Sequence, residues 1–160
     1  QRLLTLAQTE PNADLRGEAV RQLGVMGASD ELWQMYQKDA SVAARKQILQ
    51  AMFIGGDAAR MIELARREPD AGLRGVAVRN LGLMGGSKAG EALVDIYGTD
   101  KDPAVRKSVI EALFLRSDAT ALVALARKES NVDLKRDIVQ KLSLIQDKVA
   151  TDYMIELLNK

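Results

Sequence analysis

The stretch Asp100-Lys101-Asp102-Pro103-Ala104-Val105-Arg106 decides the reading of this chain, because its arrangement recurs along all 160 residues. An acidic residue stands six positions before a basic one, and a small polar residue stands four before it. Aligned on the basic position, the chain gives Arg16, Arg45, Arg74, Arg106 and Lys135, separated by 29, 29, 32 and 29 residues. A fixed period of this length marks a repeat array, in which each unit buries its apolar face against its neighbours. The units fall at about 1-29, 30-58, 59-90, 91-119 and 120-148, with a partial sixth over 149-160.

Working outward from the anchor, each unit holds two apolar clusters with helical spacing. In the first unit Leu3, Leu4, Leu6 and Ala7 form a short helix that stops before Glu10-Pro11. Leu15, Ala19, Val20, Leu23 and Met26 then mark the buried face of a second helix. Asn12, Ser41, Asp70, Asp102 and Asn131 stand where each second helix begins, and all five can accept a hydrogen bond from the free amides of a helix start. Gly27, Gly55-Gly56 and Gly85-Gly86 follow the second helices, where a left-handed cap would sit. The final run Met154-Ile155-Glu156-Leu157-Leu158 matches a sixth first helix. It reads as a cap on the stack or as part of a longer array. The expected fold is all-α, with no strand.

Composition narrows the function classes. With 47% apolar residues the chain can build a core, and 23 basic against 22 acidic residues leave a net charge of +1. That balance disfavours a nucleic-acid or membrane-surface role, which usually needs a basic excess. There is no cysteine and no histidine, so thiolate chemistry, disulfides and the commonest general base and metal ligand are missing. No cofactor, metal site or catalytic residue is expected, and nothing in the sequence spans a membrane. The chain opens at Gln1 rather than methionine, so it reads as a soluble piece of a longer protein, cytoplasmic or periplasmic, with any signal peptide or anchor outside it.

The Asp-Pro-Ala-Val-Arg motif at 102 to 106, the Leu-Gly-x-Met-Gly endings at 23 to 27 and 81 to 85, and the acid-to-arginine spacing together resemble HEAT repeats. The likeness is to the short bacterial HEAT-like type also seen in phycobilisome lyases, and it covers essentially the whole chain. It implies an α-solenoid (superhelix) of five HEAT-like helix hairpins plus a C-terminal helix, about 50 Å long with helix layers ~10 Å apart. It also implies that the second helices line the concave surface. The family serves many unrelated partners, so the likeness specifies fold more than function.

Two further regularities follow the repeat. Glu10, Asp39, Glu68, Asp100 and Glu129 accompany the basic column in every unit, and on a helical wheel each basic residue falls within the apolar arc. The expectation is a structural ladder, each basic group bridging the acid-bearing turn of its own or a neighbouring repeat, in preference to a row of catalytic carboxylates. A second pattern has twice the period: Ala7, Tyr36, Ala65, Tyr97 and Ala126 nine before the anchor, and Gly24, Phe53, Gly82, Phe114 and Ser143 eight after it. Small and large residues alternate in both columns, which predicts compact and bulky hairpins nested along the stack, with the rings and Trp33 in the core.

Candidate partner-binding residues lie on the second helices. The column five after the anchor is Arg21, Gln50, Arg79, Glu111 and Gln140, polar and mixed in charge, suited to a polypeptide or simply to water. The column nine after reads Val25, Ile54, Leu83, Leu115 and Leu144, either an apolar stripe open to a partner or a set covered by the next repeat's turn. The expected function is therefore a non-catalytic scaffold that holds a protein or peptide on the concave face. The alternatives are a lyase-type HEAT enzyme or enzyme accessory, and a nucleic-acid-binding HEAT-like protein read through Lys46, Lys107, Arg136, Arg21, Arg79 and Lys141.

Overall fold

The apolar periodicity is realised as a stack of helices in a computed structural model, which describes residues 2–159. The first helices of the hairpins are Arg2–Thr9 (α1), Ser29–Lys38 (α3), Ala58–Arg67 (α5), Ser87–Thr99 (α7) and Ala119–Lys128 (α9). The second helices are Ala13–Val25 (α2), Val42–Ile54 (α4), Ala71–Leu83 (α6), Pro103–Leu115 (α8) and Val132–Leu144 (α10), and Lys148–Leu158 (α11) closes the order. The described residues contain no strand, so the fold class is all-α, in keeping with a HEAT-like solenoid. The longer third spacing appears as an extra turn: α7 has 13 residues where α3, α5 and α9 have 10.

Each second helix starts at the predicted cap. Asn12 accepts the amides of Asp14 and Leu15, Ser41 that of Ala44, Asp70 that of Leu73, Asp102 that of Ala104, and Asn131 those of Asp133 and Leu134. Gly27 and Gly56 take φ of 70° and 75° after α2 and α4, and Ser117 takes 54° after α8. At all three ends the next amide reaches back to the last helical turn, as in Ala28 N–H to Leu23 O, Asp57 N–H to Met52 O and Asp118 N–H to Leu113 O. The end of α6 is different, for Met84 there is extended and the carbonyls turn to Arg116, whose Nη1 donates to Met84 O at 2.6 Å and Nη2 to Gly86 O at 2.7 Å.

The doubled period in the sequence is a doubled period in packing. Gly24 lies against the backbone of Ala51, where an added Cβ would stand 2.3 Å from Ala51 O. Gly82 lies against Ala112, where an added Cβ would meet its Cα at 2.7 Å. These glycines let α2 approach α4 and α6 approach α8 closely, whereas α4 and α6, and α8 and α10, touch less extensively. Across the wider interfaces Tyr36 reaches Glu68 and Tyr97 reaches Glu129, and the Phe114 ring faces Lys141 of α10. Compact and wide interfaces thus alternate because small and large residues do.

Some residues predicted for the core are not in it. Leu15 is 60% exposed, while its counterparts Leu73, Val105 and Leu134 are buried, because among the described residues α2 packs against α1, α3 and α4 alone and its other side is uncovered. Met26 falls in the turn after α2 and is exposed, and so is Leu6. Trp33 is half-buried: it stacks on Tyr36 with centroids 6.0 Å apart and lies under the Arg60 guanidinium at 5.6 Å.

Candidate functional site

The charged columns are the first place where chemistry could reside, and their geometry is that of a seam between repeats. Every acid of the column accepts the amide of the cap residue two positions on, at 2.7 to 3.0 Å: Glu10 from Asn12, Asp39 from Ser41, Glu68 from Asp70, Asp100 from Asp102 and Glu129 from Asn131. The acid therefore stiffens the turn into the second helix before it meets any cation. Arg45 then pairs with Glu68 at 2.7 Å, Arg74 with Asp100 at 2.7 Å and Arg106 with Glu129 at 2.6 Å, each crossing to the following repeat. Arg74 also donates to Glu68 O and Pro69 O in its own turn.

The ends of the column behave differently. Arg16 donates to Glu10 O at 2.7 Å and to Pro11 O, with no ion pair to Asp39. The Lys135 ammonium has no acidic partner among the described residues.

In the wide interfaces a third group joins the pair, which the sequence reading did not find. Tyr36 Oη donates to Glu68 Oε2 at 2.5 Å, and Tyr97 Oη donates to Glu129 Oε2. The Arg45 and Arg106 guanidinium carbons stand 5.8 and 4.4 Å from the same rings. Because tyrosine occupies carboxylate capacity, Arg45 and Arg106 pair through one nitrogen and leave Nε without a partner, whereas Arg74 grips Asp100 through both Nε and Nη2. A signal was present in the sequence: the acids alternate Glu and Asp in phase with the tyrosines, the longer Glu standing where a tyrosine arrives.

These contacts set the titration of the seam. Burial pushes the Glu129 carboxyl up, but the Tyr97 hydroxyl, the Asn131 amide and the Arg106 charge outweigh it and hold the pKa below its ordinary 4.5. Asp100 is likewise held below 3.8, burial being outweighed by Arg74 and the Asp102 amide. Burial first, and then the facing carboxylates, raise both Tyr36 and Tyr97. Carboxylates held ionised and tyrosines held neutral between fixed partners are suited to joining repeats.

The second-helix face has the opposite character. Val25, Ile54, Leu83, Leu115 and Leu144 are each the last residue of their helix and are 59%, 46%, 59%, 50% and 66% exposed. The next repeat's turn does not cover them, so they form a row of apolar side chains along one end of the second helices. Beside them, one turn earlier, Arg21, Gln50, Arg79, Glu111 and Gln140 are all exposed. Arg21 is held by Glu18 at 2.7 Å, while the other four side chains make no hydrogen bond or ion pair within the described residues. The two columns meet in a groove of about 430 Å³ between α2 and α4, lined by Gly17, Arg21, Lys46, Gln50 and Ile54. Among the described residues, no group of three or more acidic side chains is placed to hold a metal ion, and no helix is long and apolar enough to cross a membrane.

Stacked helix hairpins with an inter-repeat ionic seam and an open second-helix face define the class as an all-α repeat protein. Residues 58–127, from the start of α5 to within one residue of the end of α9, match the family model of HEAT repeats, which supports a HEAT-repeat family for this chain. No curated protein matches the chain.

Proposed function

We propose that this chain is a non-catalytic scaffold whose second-helix face holds a polypeptide. The observation that carries the reading is the row Val25, Ile54, Leu83, Leu115 and Leu144, exposed at five successive helix ends beside unengaged polar side chains. Contiguous exposed apolar surface costs solubility and commonly marks an interface, and a shallow groove with hydrogen-bonding edges suits an extended chain. Several cations on this face are offset locally, Arg21 by Glu18, Lys107 by Asp137 and Arg136 by Asp133, which favours a polypeptide over a phosphate backbone. The short repeats are read as the bacterial type that phycobilisome lyases share, a likeness of repeat form carried by the motif at 102 to 106.

The test is to pan a random peptide library against the chain and measure affinities of the enriched peptides for variants. Leu83→Ser with Leu115→Ser is expected to weaken binding about tenfold or more, with the thermal midpoint nearly unchanged because both side chains are half exposed or more. Peptides that bind both forms equally would overturn the proposal.

A further inference from the structure

The charges of this chain nearly balance in number but not in place. At the turns from first to second helix the acids are committed inward: Asp39, Glu68, Asp100 and Glu129 each accept a cap amide, and the last three also meet an arginine of the preceding repeat. The cations at the mouths of the same four turns are not. Lys38, Arg67 and Lys128 end α3, α5 and α9, and Lys101 stands two residues beyond α7; all four are exposed and make no hydrogen bond or ion pair within the described residues. Complementing the helix dipole does not explain the row, since in the fourth turn the last helical place goes to Thr99 and the cation lies outside the helix. Two clefts flank Arg67, one of about 320 Å³ toward Trp33 and Asp39 and one of about 440 Å³ toward Thr99 and Lys101. Of the acids lining them, Glu63 alone lacks a partner among the described residues.

We infer that this turn edge is a docking surface for an extended acidic segment of a partner protein, separate from the apolar row at the other end of the second helices. The 13-residue second helices hold the two edges about 20 Å apart. The four turns lie inside the stack, with described helices before and after each of them. Stacked helices lie ~10 Å apart and an extended chain advances ~3.3 Å per residue, so a carboxylate at every third position meets one turn after another. A single exposed ion pair contributes little, but four on one chain act together because each contact raises the effective concentration of the next. The observations favour carboxylates over a nucleic acid. One free cation per ~10 Å is sparse against duplex DNA, which carries a charge per ~1.7 Å. Trp33, which stacks on Tyr36 and lies under Arg60, offers no free platform for a base.

The test uses the full chain and a fluorescein-labelled peptide of four Glu-Ser-Gly triplets, read by fluorescence polarisation at low ionic strength, where exposed charges are least screened. Saturable binding is expected, and a peptide of the same composition with its four glutamates adjacent is expected to bind several-fold more weakly. Arg67→Glu with Lys101→Glu, both at exposed and unpaired sites, is expected to weaken the spaced peptide about tenfold or more. Lys88→Glu with Lys148→Glu makes the same change in net charge at the starts of α7 and α11, the far end from the turns, and is expected to leave affinity within about twofold. Absence of saturable binding, or equal affinity for the two peptides, would overturn the inference. So would equal losses from the two variant pairs, which would reduce the effect to net charge. Binding lost in the Leu83→Ser, Leu115→Ser form but kept in the Arg67→Glu, Lys101→Glu form would place the peptide on the apolar row instead. Tighter binding of a single-stranded oligonucleotide of matched charge, abolished by Arg67→Glu with Lys101→Glu, would make the partner a nucleic acid and would equally refute it.

Discussion

Arg74 illustrates what one residue does in this molecule. Its guanidinium is 17% exposed and faces Asp100, itself 11% exposed, so removing either leaves a poorly solvated charge. Arg74→Ala is expected to cost about 3 kcal/mol in urea unfolding, and a loss under ~1 kcal/mol would mean that the pair behaves as a solvated one. Arg16, which bonds only to carbonyls of its own turn, is expected to cost about 1 kcal/mol when replaced by alanine. The same seam sets an acid limit. Asp100 and Glu129 bind protons more weakly when folded than their ordinary values of 3.8 and 4.5, so their contribution is fully present above those values. It is lost as pH falls through the lower folded values. The urea midpoint is therefore expected to decline as pH drops below 4.5, and less steeply in a protein carrying both Asp100→Asn and Glu129→Gln.

At the scale of the element, the glycines at 24 and 82 decide how closely helices approach. Within α6, an alanine would ordinarily stabilise by ~1 kcal/mol over glycine through lower chain entropy. At Gly82 that gain is opposed by an added Cβ 2.7 Å from Ala112 Cα, a backbone atom that can yield only if α6 and α8 separate. Gly82→Ala is expected to destabilise by about 1–3 kcal/mol by thermal or urea unfolding, the reverse of the propensity scale. Gly75 offers the contrast, since an alanine there meets the Ser108 hydroxyl at 3.4 Å and is expected to be tolerated.

At the scale of the whole molecule, stability accrues through neighbours. Helices α6 and α8 lie between hairpins on both sides, while α1 buries only Ala7 and α11 only Ala150 and Tyr153. Hydrogen exchange is expected to be slowest in α6 and α8 and fastest in α1 and α11, in graded fashion along the array. Uniform protection across all helices would contradict a nearest-neighbour account.

Much of this was legible in the sequence because repetition turns weak local signals into columns. One asparagine before a helix says little, but Asn12, Ser41, Asp70, Asp102 and Asn131 in register fixed the phase, and each is the observed cap. The all-α class, the hairpins and the alternation of small and large residues rest on spacing and size, which the chain carries by itself. Which groups meet across an interface depends on how far apart the helices settle, and that distance is a sum over packing from both repeats. Only the tertiary structure decided that Tyr36 and Tyr97 reach the next repeat's glutamates, that Arg116 closes α6, and that the five helix-end residues from Val25 to Leu144 stay open to solvent. A helical wheel gives the direction of a side chain but not whether a neighbour stands there.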